Sequence, residues 1–188
     1  MMPDQIKNYR NIVTLKDGAK VLFRAMVPED EQGLVELFGT VSDEDFWYLR
    51  DNVRDPAVIR EWCERMDYYR VLPLLAISRN KVVGQATLHM RRGPKRHLGE
   101  VRIFLAKDFR QRGLGSKMLN TLIDLARKQN LNLLIAEIVT EHSRVIKAFQ
   151  KLGFVMRCTF EDYFMLPDGD TRDVAVLMLS LRQKTDEF

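Results

Sequence analysis

Apolar and polar positions follow two different rhythms along the chain, and together they predict a mixed α/β domain. Residues 72–78 and 82–90 are β-rich and flank a short polar turn at residues 79–81, so they predict an antiparallel pair of strands. From about Gly113 to Lys128 the apolar residues instead recur at helical spacing. Because such segments alternate over the whole length, we expect a mostly antiparallel sheet with helices on both faces.

Turn and cap signals place the remaining elements. Residues 13–26 predict a hairpin that turns at Asp17-Gly18. Ser42 and the pair Asp55-Pro56 are helix-start signals, and Gly153 ends the last helix, which starts at about Ser143. Further strands are predicted over residues 100–105, 131–139, 154–165 and 174–181.

Length and composition predict one domain and exclude several classes of protein. The 188 residues are 46% hydrophobic and 30% charged, which excludes a disordered or low-complexity chain. We expect a domain over residues 13–182, between an N-terminal extension (1–12) and a C-terminal tail (183–188). The apolar runs are too short for a membrane helix, and no secretory signal is evident, so a cytoplasmic protein is expected. Cys63 and Cys158 lie far apart and outside any CxxC pattern, so neither a disulfide framework nor a metal site is predicted.

The charge balance favours anionic partners without identifying one. The net charge is +4, from 30 Lys and Arg against 26 Asp and Glu. The basic residues cluster at residues 91–96 and 110–112, which suits a nucleic acid, a phosphorylated cofactor or merely a solvated loop. Nucleic acid is the least favoured, because aromatic residues do not interleave with the basic loop.

Residues 105–117 run from a strand through a basic, glycine-bearing loop into a helix. The first turn of a helix leaves backbone N–H groups unpaired and carries partial positive charge, so glycines there let the backbone contact a phosphate. The segment lacks the GxxxxGK[ST] pattern of a P-loop. A dinucleotide fingerprint would require glycine where Met118 stands. A plain helix-start loop is the structural alternative.

One pattern in this segment resembles a known family. Arg110-x-x-Gly113-x-Gly115 is similar to the R/Q-x-x-G-x-G/A pyrophosphate loop of the GNAT N-acetyltransferase superfamily, and residues 151–154 resemble its KLGF ending. The resemblance spans about residues 17–181. Within the superfamily, the bacterial Pat-type protein lysine acetyltransferases look most similar, through the following segments: Asp17-Gly18, Arg24, residues 28–31, residues 42–50 and Gly99-Glu100-Val101.

The resemblance implies a fold and a cofactor. It implies a single GNAT-like domain whose mixed sheet is splayed after the family's fourth strand, here residues 100–105. It also implies acetyl-CoA, with the N–H groups of residues 111–116 on the pyrophosphate and the main chain of Phe104 and Leu105 on the pantetheine arm and thioester carbonyl. The expected cofactor-binding residues are Phe104, Leu105, Arg110, Gln111, Arg112, Gly113, Leu114, Gly115, Ser116, His142 and Phe149.

A mechanism of direct amine attack follows from the same resemblance. A lysine side chain has a pKa of about 10.4, so only about 10⁻³ to 10⁻⁴ of it is neutral at pH 7 and a base is useful. Glu100 is the expected base, with a pKa that burial should raise; a solvent-facing strand residue is the alternative. Phe149 stands where the family usually has a leaving-group tyrosine, and we expect it to pack against the pantetheine. His142 stands where a CoA-binding asparagine is common.

The acceptor is left open between several classes. A protein lysine is the first hypothesis, and a small-molecule amine or a protein N-terminus is the second. Asp43, Glu44 and Asp45 form either an acidic rim that attracts a cationic amine or a set of helix-capping residues. A non-catalytic acyl-CoA sensor is the alternative from another class, with Phe149 in its favour. A homodimer is compatible with every one of these functions.

Overall fold

In the computed structural model, which describes residues 6–182, the chain alternates between strands and helices as expected. The strands are β1 (Arg10–Thr14), β2 (Lys20–Ala25), β3 (Val71–Ser78), β4 (Lys81–Met90), β5 (Leu98–Leu105), β6 (Leu133–Val139), β7 (Val155–Met165) and β8 (Thr171–Ser180). The helices are α1 (Glu31–Gly39), α2 (Asp43–Phe46), α3 (Pro56–Glu64), α4 (Leu114–Lys128) and α5 (Ser143–Lys151).

The helix ends form for the local reasons read from the sequence. The Ser42 side chain accepts a hydrogen bond from the Asp45 N–H, and the Asp55 side chain accepts one from Ala57, so both predicted caps are confirmed. Gly153 follows α5 with a φ of +93°, the left-handed conformation that commonly ends a helix.

The strands form one sheet in the order β1-β2-β3-β4-β5-β6-β8-β7 within the described residues. The β5–β6 contact is parallel, and the other neighbours are antiparallel. β5 pairs with β6 only from Leu98 to Glu100, although β5 continues to Leu105. The two strands therefore diverge after Glu100, which confirms the predicted splay of the sheet.

Helices cover both faces of this sheet. Successive residues of a strand point to opposite faces, so Leu74 and Leu75 of β3 enter different hydrophobic clusters. Leu74 packs in the cluster that contains Met118 of α4, and Leu75 packs in the cluster that contains Phe38 of α1. The long helix α4 is thereby fixed against one face, with its N-terminus at the end of β5.

Other expectations concern the ends of the chain and the cysteines. β1 begins at Arg10, inside the stretch assigned above to an N-terminal extension, and residues 183–188 lie outside the described residues, so the domain limits stay a prediction. Cys63 is buried and Cys158 is exposed, and neither forms a disulfide. Over residues 6–182, every helix is too short or too polar to cross a membrane.

Candidate active site

The divergence of β5 from β6 leaves main-chain groups of β5 directed into an opening. Ala106 N–H donates to the Val83 carbonyl (3.0 Å), and the pairing of β5 with β4 continues in register from there. Because hydrogen-bonded pairs alternate in an antiparallel ladder, Phe104 bonds to β4, while Ile103 and Leu105 point their main-chain groups toward β6. The expectation of a free Phe104 main chain is therefore wrong, and the expectation for Leu105 agrees only for its N–H, because its carbonyl accepts a hydrogen bond from Arg110.

The loop between β5 and α4 has the geometry of an anion cradle. Gln111 (φ +60°) and Gly113 (φ +85°) both adopt left-handed backbone conformations, and α4 begins immediately afterwards at Leu114. The Lys117 N–H donates to the Gly113 carbonyl at the start of the helix, so the N–H groups of Leu114, Gly115 and Ser116 have no acceptor within the helix. This arrangement turns several donors and the positive end of α4 toward the loop.

The two arginines of this loop are held by carboxylates of distant segments. The Arg110 guanidinium donates to Asp45 of α2 (2.7 and 3.3 Å) and to the Leu105 carbonyl (3.1 Å). Arg112 binds Asp17 of the first hairpin and donates to the Asp108 carbonyl. Sequence reasoning left Asp45 between an acidic rim and a capping residue, and it missed this link, since 65 residues separate Asp45 from Arg110.

The electrostatics of Asp45 follow from that link. Partial burial raises the pKa of the Asp45 carboxyl, but hydrogen bonds from Arg110 and Ser42, with the positive charge of Arg110, outweigh burial and leave it below its usual value. Asp45 is therefore ionised at neutral pH. Its negative charge balances the positive charge of Arg110, the same charge that would attract an anionic cofactor to this loop.

Glu100 lies buried where β5 and β6 separate. Only 2% of the residue is exposed, so the alternative of a solvent-facing strand residue is wrong. Its Oε1 receives Arg102 Nε at 2.8 Å and Arg50 Nη2 at 2.8 Å, and its Oε2 receives Arg91 Nη2. The carboxylate thus meets guanidinium groups on both of its oxygens.

These arginines reverse the expected shift of the Glu100 pKa. Burial is the largest single influence and raises the pKa, as expected from the sequence. The hydrogen bond from Arg102 and the charges of Arg102, Arg50 and Arg91 together outweigh burial, so the Glu100 pKa lies below its ordinary value. The expectation of a raised pKa is wrong, because the sequence did not indicate which cations would converge on this side chain.

Arg50 also joins Glu100 to a second carboxylate that sequence reasoning missed. Arg50 Nη2 lies 2.6 Å from Glu137 Oε2 of β6, in addition to its contact with Glu100 of β5. Arg50 and Glu137 are 87 residues apart, and neither belongs to a motif to which a role was assigned. The pair is a product of the fold, which brings the segment after α2 across the opening.

A cavity of about 640 Å³ extends from Glu100 toward α1 and α3. Its apolar wall includes Phe38, Trp62 and Phe104, with the Phe38 and Phe104 rings stacked at 5.1 Å. The charged wall combines arginines with carboxylates: Arg50, Arg65, Arg70, Arg91, Arg102, Asp51, Glu61, Asp67 and Glu100. Its size and mixed lining suit a small polar molecule or one extended side chain.

His89, which faces this cavity, is held neutral. Burial and the positive charge of Arg102 lower the pKa of its imidazole to about 4. Its Nε2 lies 2.9 Å from the Thr87 hydroxyl. At neutral pH the ring can therefore exchange hydrogen bonds but adds no charge to the arginine-rich wall.

His142 and Phe149 lie on the β6 side of the opening. His142 precedes α5, and its ring packs edge-on against Tyr48 at 4.8 Å. Phe149 is buried in the core, edge-on to Phe154 at 5.0 Å. Contact of either residue with a cofactor stays a prediction.

Taken together, a donor-rich loop stands at one end of the opening and an ionised carboxylate at the other. The donors of residues 114–116 fit a diphosphate, and the main chain of Ile103 with the Leu105 N–H fits an extended polar arm that runs along β5. The cavity beside Glu100 fits a second, smaller reactant. The geometry suits the transfer of a group from a phosphate-bearing carrier to a molecule in the cavity.

Comparison with known proteins agrees with this geometry. The sequence model of the acetyltransferase (GNAT) family matches residues 35–154. The chain is 28% identical to the L-amino acid N-acyltransferase MnaT of Escherichia coli (strain K12) over 96 residues, which is 48% of this chain; the match spans about half (52%) of that relative's length.

Solved structures show the same fold at low sequence identity. The GNAT domain of S. lividans PAT superimposes with a TM-score of 0.78 at 19% identity, over 96% of this chain and 99% of that one. The ribosomal-protein-S5-alanine acetyltransferase of Vibrio fischeri gives a TM-score of 0.77 at 18% identity, over 87% of this chain and 94% of that one.

Proposed function

Because the chain belongs to the acetyltransferase (GNAT) family, which uses acetyl-CoA as its acyl donor, we propose that it transfers the acetyl group of acetyl-CoA to a primary amine. One observation carries this proposal above the others. The N-terminus of α4 lies at the end of β5, and the buried Glu100 carboxylate lies on the same strand where β5 leaves β6. A carrier bound along β5 would therefore reach from the donors to the carboxylate.

The residues present fit acetyl-CoA. The N–H groups of Leu114, Gly115 and Ser116 would bind the pyrophosphate, with positive charge from Arg110 and Arg112. Gly115 lies close to the strand: a Cβ added there would meet Leu105 Cδ1 at 3.3 Å, so a larger residue would crowd this side of the loop. Acetyl-CoA supplies an activated thioester when it is bound.

Glu100 is the proposed general base. Its lowered pKa keeps it ionised at neutral pH, so it can accept a proton from the ammonium form of the acceptor. The same low pKa makes it a weak base, so a proton that it takes from the acceptor would have to pass on to solvent. The arginines around it hold the carboxylate in one position, which favours proton transfer from an acceptor bound at a fixed distance from it.

The acceptor has two candidates. A protein lysine is proposed from the Pat-like segments of the sequence, and its long side chain would fit the apolar wall formed by Phe38 and Trp62. An amine that also carries a carboxylate is favoured by a different observation. Arg70, Arg91 and Arg102 line the cavity and would bind a carboxylate but repel an additional cation. The name of the E. coli relative, an L-amino acid N-acyltransferase, favours the second candidate as well.

Turnover with a small panel of amines tests the proposal. Release of coenzyme A from acetyl-CoA is measured with n-butylamine, L-methionine, a lysine-containing peptide with a blocked N-terminus, and a peptide with a free alanine N-terminus. Acetylation of any of these supports the proposed reaction, and the preferred amine decides between the acceptor classes. Binding of acetyl-CoA without turnover of any amine would support a sensor instead.

Glu100→Gln tests the base. We expect kcat at pH 7.5 to fall by about 10²-fold or more, because general base catalysis contributes about 10²–10⁴. The acetyl-CoA Kd, measured by calorimetry, should stay within about twofold, because the donors of the α4 loop are unchanged. Glu161→Gln, an exposed strand position, is the matched control and should change neither value. Undiminished turnover by Glu100→Gln would exclude Glu100 as the base.

A further inference from the structure

Two carboxylates share one guanidinium at the point where the sheet opens. Glu100 is the last residue of β5 that pairs with β6, and Glu137 lies further along β6. Arg50 Nη2 lies 2.8 Å from Glu100 Oε1 and 2.6 Å from Glu137 Oε2. One cationic nitrogen therefore lies between two carboxylates on the strands that separate.

The surroundings of that nitrogen match the needs of a primary ammonium group. An ammonium carries one positive charge and three N–H donors, so two carboxylate oxygens at hydrogen-bonding distance leave one donor for water. Resting on the proposed acetyl transfer, we propose that Glu100 and Glu137 together bind the ammonium of the acceptor, and that Arg50 occupies this site in the free protein. Glu137 is then an acceptor-binding residue, and Arg50 is a competing residue that the acceptor displaces.

Arg50 is positioned so that it can move out of the site between Glu100 and Glu137. It lies in the irregular segment between α2 and α3, and 38% of its side chain is exposed, although its partners Glu100 and Glu137 are only 3% and 19% exposed, so the guanidinium already borders solvent. When it leaves, Glu100 keeps Arg91 and Arg102 as partners. The acceptor ammonium would replace the charge of Arg50 beside Glu137, so the exchange conserves charge.

The experiment measures KM for the best amine of the panel at saturating acetyl-CoA. In Arg50→Gln the competing cation is absent, and KM for the amine should fall. If Arg50 fills the site in about nine molecules of ten, the fall is about tenfold, because apparent affinity scales with the open fraction. A purely structural role for Arg50 predicts the opposite, a higher KM in a less stable protein.

Two further variants keep the proposal falsifiable if Arg50→Gln folds poorly. Glu137→Gln should raise KM for the amine by about tenfold, because a charged hydrogen bond is lost, while the acetyl-CoA Kd stays the same. Arg54→Gln is the matched control: Arg54 lies in the same segment but pairs with Asp43, so KM should not change.

The outcomes separate this inference from the function on which it rests. Lower KM in Arg50→Gln together with higher KM in Glu137→Gln supports the shared ammonium site. An unchanged or higher KM in Arg50→Gln, or an unchanged KM in Glu137→Gln, in a protein that still acetylates the amine, overturns it and leaves the acetyltransferase standing. Absence of turnover with every panel amine refutes the proposed function, and the ammonium site with it.

Discussion

Gly113 offers the sharpest test of the proposed cofactor-binding loop, because its backbone conformation excludes most other residues. Its φ of +85° and ψ of 0° lie in the left-handed region, and it is the residue immediately before α4. An added Cβ would meet Lys16 carbons at 3.5 Å, an ordinary contact, so space does not prevent a substitution. The cost of Gly113→Ala therefore comes from the backbone, at about 1–2 kcal/mol for an L-residue in this conformation.

That cost must lower the free energy of unfolding, weaken the binding of acetyl-CoA, or do both in part. If the loop keeps its conformation without ligand, the free energy of unfolding falls by the full amount and the acetyl-CoA Kd is unchanged. If the free loop relaxes, the cost appears in Kd, which rises by up to about 5- to 30-fold. The sum of the two losses should equal about 1–2 kcal/mol in either case.

Urea unfolding without ligand and calorimetric titration with acetyl-CoA measure the two parts. Gly113→Asn should lose less than Gly113→Ala, because asparagine tolerates the left-handed region better. Gly39→Ala is the control: Gly39 ends α1 with nothing within 4 Å of an added Cβ, so it should not weaken binding. A summed loss near zero for Gly113→Ala would refute the reasoning from the φ angle.

Two further predictions concern stability. The Asp30 carboxylate accepts hydrogen bonds from both Nη groups of Arg24 and from the Val27 N–H, so Asp30→Ala should lower the free energy of unfolding, measured in urea, by about 3 kcal/mol. Asp124→Ala, which removes a surface ion pair, should lower it by less than about 1 kcal/mol. Equal losses in the two variants would contradict the role of burial. The pKa of His89 is about 4 in the folded protein and about 6.5 in the unfolded chain, so between these pH values the unfolded chain binds more protons. The free energy of unfolding should therefore fall by up to about 3 kcal/mol as the pH drops through this window. His89→Gln should remove this pH dependence in urea unfolding at pH 7 and 4.5, and an equally steep loss in that variant would show that other groups cause it.

Local elements and the glycine-bearing loop before α4 could be predicted from the sequence because neighbouring residues determine them. Ser42 and Asp55 cap helices through N–H groups two or three residues away, and the left-handed turn at Gly113 needs only its own missing side chain. The period of the apolar residues likewise assigned the long helix α4. The splay after Glu100 was expected only through the family resemblance.

The details of the site depend on contacts between residues that are far apart in the sequence. Arg110 meets Asp45 across 65 residues, and Arg50 meets Glu137 across 87. The family resemblance suggested Glu100 and its burial, but the direction of its pKa shift depends on three arginines from different segments. Coulomb energy varies with distance and surroundings, which sequence spacing does not measure.

The amino-acid order alone therefore determined the mixed α/β class, through the periods of its apolar residues, and the helix caps and the glycine-bearing loop, through backbone preferences over a few residues. Only the tertiary structure decided which β5 main-chain groups face the opening, how strongly Glu100 holds a proton, and that Glu137 stands opposite it. These properties arise from the register of paired strands and from charges brought together in space, and both exist only once the chain has folded.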